Sequence, residues 1–161
     1  MVFWRGLSLD KNTLPSTLLG QMSPDLVLPD LFNNQSVDIS TYQGEVILLN
    51  VWATWCPGCL LEHDVLNSIA ASDEVKIIGM NYKDDLDKAK NWLKMKGNPF
   101  IAIPIDTTGR TAIEWGVYGA PETFVIDKKG IIRYKHIAPI SIEDWEKTLL
   151  PIVQALKQES I

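Results

Sequence analysis

The sequence contains few cysteines and lacks a long apolar run. Only two of its 161 residues are cysteines, which excludes a framework of several structural disulfides. No stretch approaches the roughly 18 consecutive apolar residues that a membrane-spanning helix needs. The net charge is −5, with acidic and basic residues mixed along the chain, whereas nucleic-acid-binding domains usually carry a basic face. We therefore expect no nucleic-acid partner.

The length and composition predict one packed domain. A chain of 161 residues with 46% hydrophobic residues has the size and apolar content of a single core, and it shows no internal repeat or linker. We predict that residues 18–161 form this domain and that residues 1–17 form an N-terminal tail. The apolar residues at 2–4 run directly into Arg5. These residues alone fit the end of a membrane anchor and an ordinary tail equally well.

Apolar runs alternate with amphipathic segments, which predicts an α/β fold. Continuous apolar runs such as "EVILLNVW" are typical of strands buried on both faces. The predicted elements are strands at 45–52, 75–81 and 100–106, helices at 56–71, 84–97 and 109–115, a hairpin at 122–136 and a helix from Ser141 onward. Pro151 should kink or divide that last helix. The order of elements predicts a mixed sheet with helices on both faces.

The two cysteines, Cys56 and Cys59, lie where the first of these strands meets the first helix. Pro57 suits the first helical position, and the helix has apolar residues at Leu60, Leu61, Val65, Leu66 and Ile69. Unpaired backbone N–H groups and the helix dipole favour a thiolate at this end of the helix. We predict that Cys56 attacks a partner disulfide and that Cys59, almost one turn later and deeper, resolves the mixed disulfide.

A buried resolving thiol needs a proton acceptor, and the sequence offers two. Glu62 follows Cys59 by three residues and His63 by four, so both lie near it along the helix. We favour Glu62, because His63 could equally be a solvated surface residue. Asn50 interrupts the apolar strand and can form hydrogen bonds beneath the site, but it cannot take up a proton.

Two other interpretations of the cysteine pair are weaker. A zinc site needs four ligands; only His63 and His136 could add nitrogen donors, and His63 is too close along the helix for good tetrahedral geometry. We therefore expect no metal. Inert core cysteines are disfavoured by the Pro-Gly pair between them.

Three motifs resemble one family within the thioredoxin superfamily. They are "LLNVWATWCPGCLLEH" (48–63), "GMNYKDD" (79–85) and "GVYGAPETFVID" (116–127). In combination they closely resemble the CcmG/DsbE family, the bacterial thiol:disulfide interchange proteins of cytochrome c maturation. The resemblance covers about residues 18 to 150. It implies a thioredoxin-like fold with a central strand-helix insertion and an N-terminal hairpin.

The resemblance also implies roles for residues outside the cysteine pair. Pro121 matches the family's cis-proline opposite the cysteines, and the backbone beside it would pair with an extended substrate. Glu122 and Glu62 together would make the site acidic. Asn50 occupies a strand position where most thioredoxins have a buried acid, and Glu62 is thought to contribute instead. The expected substrate contacts are Trp55, Pro57, Ala120, Pro121 and Glu122.

The family's activity would make this chain a reductant in an oxidising compartment. Its members keep apocytochrome c thiols reduced, directly or through a CcmH-type thiol protein. They receive electrons from a membrane reductase of the DsbD or CcdA type. They face the periplasm from one N-terminal inner-membrane helix, so "VFWRG" would follow such an anchor. No cofactor is implied beyond the redox-active Cys56–Cys59 disulfide.

Three further functions are weighed against this one. A general TlpA- or ResA-like thioredoxin reductant would act on other exported proteins. A module that binds apocytochrome without redox turnover would not exchange its disulfide with glutathione. Peroxide reduction is disfavoured, because Ala53 stands where a peroxiredoxin would have threonine.

Overall fold

A computed structural model describes residues 17–161, which contain a five-stranded mixed sheet and a separate two-stranded hairpin. The N-terminal residues 1–16, and with them the predicted tail and anchor remnant, lie outside the described residues. The strands are β1 (Val27–Pro29), β2 (Ser36–Asp38), β3 (Ile47–Trp52), β4 (Lys76–Tyr82), β5 (Ile105–Asp106), β6 (Glu122–Ile126) and β7 (Ile132–His136). The helices are α1 (Pro57–Ser72), α2 (Leu86–Lys96), α3 (Arg110–Glu114), α4 (Ile142–Asp144) and α5 (Leu150–Gln158), with a 3-10 helix at Ile39–Tyr42 and a π-helical segment at Trp145–Leu149.

The sheet has the strand order β5-β4-β3-β6-β7, with β3 at its centre. Strand β3 runs parallel to β4 and antiparallel to β6, and β6 forms the predicted antiparallel hairpin with β7. This confirms the thioredoxin-like mixed sheet flanked by helices. Helix α2 and edge strand β5 are inserted between the β3-α1-β4 unit and the hairpin, and β1 and β2 form a small N-terminal hairpin.

Side chains of the central strand alternate between two apolar cores. Leu48 and Trp52 belong to the core under α1, whereas Leu49 and Val51 belong to the core on the opposite face. All six residues of β3 are buried, as expected for a strand covered on both faces. The cysteine-containing turn therefore follows directly from the carboxyl end of a buried central strand.

The predicted strand at 100–106 is shorter than expected. Only Ile105–Asp106 forms a strand, although Ala102 makes an isolated bridge to Ile78. Pro104 accounts for part of the difference, because proline has no N–H to donate to a ladder. Its carbonyl still accepts a hydrogen bond from Asn81 N–H at 2.9 Å. The segment thus follows β4 without forming a regular strand.

The C-terminal helix is divided, as Pro151 predicts. Ser141 caps it in a reciprocal capping box with Asp144, and the π-helical segment Trp145–Leu149 precedes the α-helical end that contains Pro151. Proline lacks an N–H for the i−4 bond and its ring crowds the preceding turn. The wider π turn accommodates it without ending the helix.

The predicted apolar face of α1 is partly wrong. Leu60 and Leu61 are 50% and 75% exposed, whereas Glu62 and His63 are 0% and 3% exposed. The buried stripe follows Cys59, Glu62, Leu66 and Ile69, spaced three or four residues apart along the helix. Leu60 and Leu61 fall outside this stripe. The first turns of α1 therefore place polar groups inside and apolar groups outside.

Candidate active site

Cys56 and Cys59 form a disulfide at the N-terminus of α1. Cys56 is the N-cap residue, and its Sγ accepts a hydrogen bond from Cys59 N–H at 3.1 Å. Pro57 occupies the first helical position, as predicted. In the dithiol form the same N–H group and the positive end of the helix dipole would stabilise a Cys56 thiolate.

The two cysteines are equally buried in this disulfide state. Cys56 is 2% exposed and Cys59 is 3% exposed, so exposure in the disulfide form does not show which sulfur lies deeper. The difference between the two sulfurs is electrostatic, because the N-cap position places Cys56 Sγ at the end of the helix. That asymmetry, rather than depth, favours Cys56 as the attacking group.

Glu62 is fully buried, and two neutral donors bind its carboxyl group. Asn50 Nδ2 donates to Oε1 at 2.8 Å, and Ile140 N–H donates to Oε2 at 3.0 Å. Burial raises the pKa of Glu62 to about 7, against the lowering effect of these two hydrogen bonds. The site therefore contains, three residues after Cys59 on α1, a buried carboxyl group whose pKa is raised to about 7.

Asn50 links Glu62 to the neighbouring strand. Its Nδ2 also donates to Thr123 Oγ1 at 3.0 Å, and the two residues are paired across β3 and β6. The side chain is fully buried, so the amide is fixed beneath α1. This placement agrees with the supporting role predicted for Asn50.

His63 is not a surface residue, contrary to the alternative considered from the sequence. Trp92 Nε1 donates to Nδ1 at 3.3 Å, so Nε2 carries the proton and donates to Gly97 O at 2.8 Å. Burial lowers the pKa of His63, which favours this neutral form. Both ring nitrogens join α1 to the end of α2, and neither is free to serve Cys59.

The Ala120–Pro121 peptide bond is cis, as the family resemblance predicts. Pro121 packs on the turn between the cysteines: a Cβ added at Gly58 would lie 2.8 Å from Pro121 Cδ and 3.0 Å from Pro139 Cγ. Glycine is needed here because of this close approach. Pro139 and Ile140 were not predicted as site residues, and their positions in the sequence give no local signal for this role.

Glu122 is buried and paired, which differs from the expected acidic site. Its Oε1 accepts a hydrogen bond from Tyr118 N–H at 3.2 Å, and Oε2 lies 3.7 Å from Lys135 Nζ. The Glu122 and Lys135 side chains are each 2% exposed. Burial raises the pKa of Glu122 and lowers that of Lys135. Lys135 was missed in the sequence, since an alternating strand gives no sign of a buried cation.

Trp55 presents a fixed aromatic surface beside Cys56. The ring is 53% exposed, and its Nε1 donates to Lys83 O at 3.0 Å. A depression continues from it along α2, lined by Trp92 and Met95 among others. A second depression is lined by Gly58, which lies between the cysteines in sequence, and by Ala120 and Pro121. Of the predicted contact residues, Trp55 therefore lines one depression, and Ala120, Pro121 and Glu122 line the other.

Of the two histidines considered for a zinc site, His63 forms hydrogen bonds through both ring nitrogens, and His136 lies on β7. His136 is buried, with Nε2 3.7 Å from Asp144 Oδ2. Within residues 17–161, no three His, Cys, Asp or Glu side chains are grouped so that they could hold a metal ion. In the same range, no helix is long and apolar enough to cross a membrane.

Comparison with known proteins identifies close relatives of the chain. Residues 18–149 match the Redoxin family. The thiol:disulfide interchange protein DsbE of Vibrio cholerae is 45% identical over 152 residues, which cover 94% of this chain and 82% of that protein. DsbE of Haemophilus influenzae is 44% identical over 151 residues, covering 93% and 83% of the two chains.

Solved structures show the same architecture. A Chlorobium tepidum protein described as a thiol:disulfide interchange protein DsbE has a TM-score of 0.75 and 27% identity, covering 86% of this chain and 97% of its own. A DsbF homologue from Corynebacterium diphtheriae has a TM-score of 0.76 at 21% identity, covering 95% and 98%. The second likeness is one of fold alone.

Proposed function

Because the chain belongs to the Redoxin family and, with its DsbE relatives, is a thiol:disulfide oxidoreductase, we propose that it is a dithiol reductant of cytochrome c maturation. Its substrate would be the disulfide of apocytochrome c, or that of a CcmH-type thiol protein acting between them. The observation that carries this proposal is the Cys56–Cys59 disulfide at the N-cap of α1.

The reaction begins with the dithiol form. The Cys56 thiolate attacks one sulfur of the substrate disulfide, forming a mixed disulfide and releasing the other substrate sulfur as a thiolate, which takes up a proton. The Cys59 thiol then gives its proton to the Glu62 carboxylate and attacks Cys56 Sγ. The substrate leaves with two reduced sulfurs, and its two electrons come from the Cys56–Cys59 pair.

Glu62 supports this second step through its position and its pKa. A carboxyl group with a pKa of about 7 is present in both protonation states near neutral pH, so it can accept a proton and later release it. The two neutral donors, Asn50 Nδ2 and Ile140 N–H, hold its oxygens in place in either state. Glu62 is therefore our candidate for the proton acceptor.

The cycle requires a second partner that restores the dithiol. A membrane reductase of the DsbD or CcdA type would supply two electrons by the same exchange in reverse. We further propose that the protein works at the periplasmic face of the inner membrane, held by an N-terminal anchor. These assignments rest on family resemblance and on the relationship to the DsbE proteins.

The test is to trap partners in cells with Cys59→Ser in the full-length protein. Without the resolving thiol, Cys56 should stay attached to its partners as mixed disulfides, which mass spectrometry can identify. We expect c-type cytochrome machinery and a membrane electron donor among them. The control, Cys56→Ser with Cys59→Ser, should trap neither.

Two results would contradict the proposal in different ways. Recovery of unrelated exported proteins alone would indicate a general reductant. Absence of any adduct, together with a wild-type disulfide that does not equilibrate with glutathione, would indicate a binding module without redox turnover.

A further inference from the structure

One buried side chain reaches both ends of the loop that contains the cis-proline. This loop, residues 116–121, connects α3 to β6. Lys135 Nζ donates to Gly116 O at 2.8 Å, where the loop begins. The same Nζ lies 3.7 Å from Glu122 Oε2, just after the loop ends. Since Lys135 lies on β7, the loop is fastened to a strand that is itself part of the sheet.

The middle of the loop is held by the same pair of residues. Tyr118 N–H donates to Glu122 Oε1 at 3.2 Å, and Lys135 Nζ lies 5.1 Å from the centre of the Tyr118 ring. The ammonium group is also 5.2 Å from the ring of Phe124. Both distances are within the range of a cation–π interaction. Tyr118 itself is 78% exposed, so it remains on the surface although it contacts the buried Glu122 and Lys135 side chains.

The loop forms one wall of the depression beside the disulfide. Gly58, Tyr118, Pro121 and Pro139 are among the residues that line it. A substrate segment lying there would contact the loop backbone on its way to the cysteine pair. A shift of this wall would change how a polypeptide disulfide lying there is presented to Cys56.

Burying a lysine for stability alone would be a poor solution. A buried ion pair commonly contributes little net stability, because desolvation of both charges offsets their attraction. An apolar side chain would fill the same space without that cost. What the lysine adds is a set of directed contacts to the start, the middle and the end of one loop.

We propose that Lys135 is a positioning residue for substrate binding, which holds loop 116–121 in the conformation that receives an extended peptide beside Cys56. The inference deepens the proposed function, because it requires a polypeptide substrate. It predicts that the rate of exchange with a small disulfide does not depend on Lys135, because such a disulfide needs no wall to lie against.

The experiment compares two oxidised substrates with Lys135→Met. One is a disulfide-bonded peptide with a CxxCH haem-attachment sequence, and the other is glutathione disulfide. We expect the KM for the peptide to rise about ten-fold while its kcat stays within about two-fold, since misplacement of a binding wall weakens orientation of the substrate. The rate of exchange with glutathione should change by less than about two-fold.

Matched variants separate positioning from folding. Lys135→Met with Glu122→Gln removes both charges and keeps the approximate volume, so it should fold even if the single variant does not. It still lacks the donor to Gly116 O and should keep the raised KM. Lys135→Arg retains charge and donors and should restore most of the peptide KM. Lys129→Met changes an exposed lysine in the turn of the same hairpin and should resemble the wild type.

An unchanged peptide KM in the doubly substituted protein would overturn the proposal. Equal losses with the peptide and with glutathione would also overturn it, because they would indicate a disturbed cysteine pair. An unrelated disulfide peptide tests the proposed function separately. If the wild type reduces it as well as the CxxCH peptide, direct reduction of apocytochrome c is contradicted, while the Lys135 comparison can still be made with either peptide.

Discussion

Two buried carboxyl groups lie near the cysteine pair, on opposite faces of the sheet, and the protein holds them in opposite ways. Glu62 packs with Asn50 and Ile140, and both of its hydrogen-bond donors are neutral. Glu122 packs against Lys135, a cation that is as buried as the carboxyl group itself. Glu62 and Glu122 are 0% and 1% exposed, so their solvent exposure does not distinguish them.

The difference between their partners decides what each carboxyl group can do. With neutral donors, burial dominates at Glu62 and its pKa rises to about 7. At Glu122 burial also raises the pKa, but the Lys135 charge opposes that effect. Glu62 can therefore change its charge during a reaction near neutral pH. Glu122 is better suited to a fixed contact, which agrees with its place at the end of the cis-proline loop.

Removing the carboxylate that faces Lys135 should give the largest effect on stability. Glu122→Gln leaves a buried ammonium group without its counter-charge, and we expect a loss of about 4 kcal/mol in the free energy of unfolding at pH 7. Urea denaturation of the disulfide form measures it. Adding Lys135→Met to the same chain should recover most of that loss. A single variant as stable as the wild type would show that the two groups are not an ion pair.

The effect of Glu62 should instead appear in the pH dependence of the free energy of unfolding. Its pKa is raised from 4.5 in the unfolded chain to about 7 in the folded protein, so the folded state binds the proton more tightly. The resulting stabilisation is fully present below pH 4.5 and is lost as the pH rises through 7. We expect the wild type to lose about 3 kcal/mol from this group between pH 4 and pH 8.

The comparison for this prediction is Glu62→Gln, which cannot titrate. Its free energy of unfolding, measured with urea at both pH values, should lack that loss. The exposed Glu146→Gln is the matched control and should keep the pH dependence of the wild type. If Glu62→Gln and the wild type respond identically to pH, then Glu62 does not have a raised pKa.

Much of the fold could be predicted because its signals are local. The caps at Asp85 and Ser141 and the position of Pro57 follow from residues within one turn of each helix. A local signal of the same kind placed Cys59 and Glu62 three residues apart on one helix. The cis bond before Pro121 was implied by family resemblance, and the structure confirms it.

The residues that were missed act through contacts between distant parts of the chain. Ile140 N–H reaches Glu62 across 78 residues of sequence, and Lys135 reaches Gly116 across 19. Nothing in their neighbours specifies these partners. Leu60 and Leu61 were assigned to the interior because they are apolar, but the helix turns them outward beside the disulfide. In the first turns of α1, side-chain polarity alone therefore predicts the wrong face of the helix as buried.

The smallest effect should come from a change that disturbs one carboxyl group and leaves the other alone. Thr123→Val keeps the shape of the side chain but removes the acceptor of Asn50 Nδ2 at 3.0 Å. One buried N–H then lacks its partner, and we expect a loss of about 1 kcal/mol in the free energy of unfolding. The exposed Thr107→Val should cost less than this.

The same substitution should move the pKa of Glu62 and not that of Glu122. The hydrogen bond from Asn50 lowers the pKa of Glu62, so a less restrained amide should let that pKa rise further. Glu122 depends on Tyr118 and Lys135, neither of which contacts the lost hydroxyl through a hydrogen bond. NMR titration of the two carboxyl carbons measures both groups in one sample. Equal pKa shifts at Glu62 and Glu122 would mean that a change on one face of the sheet also affects the other face. The different properties of the two carboxyl groups would then have to be explained by the whole site rather than by their separate partners.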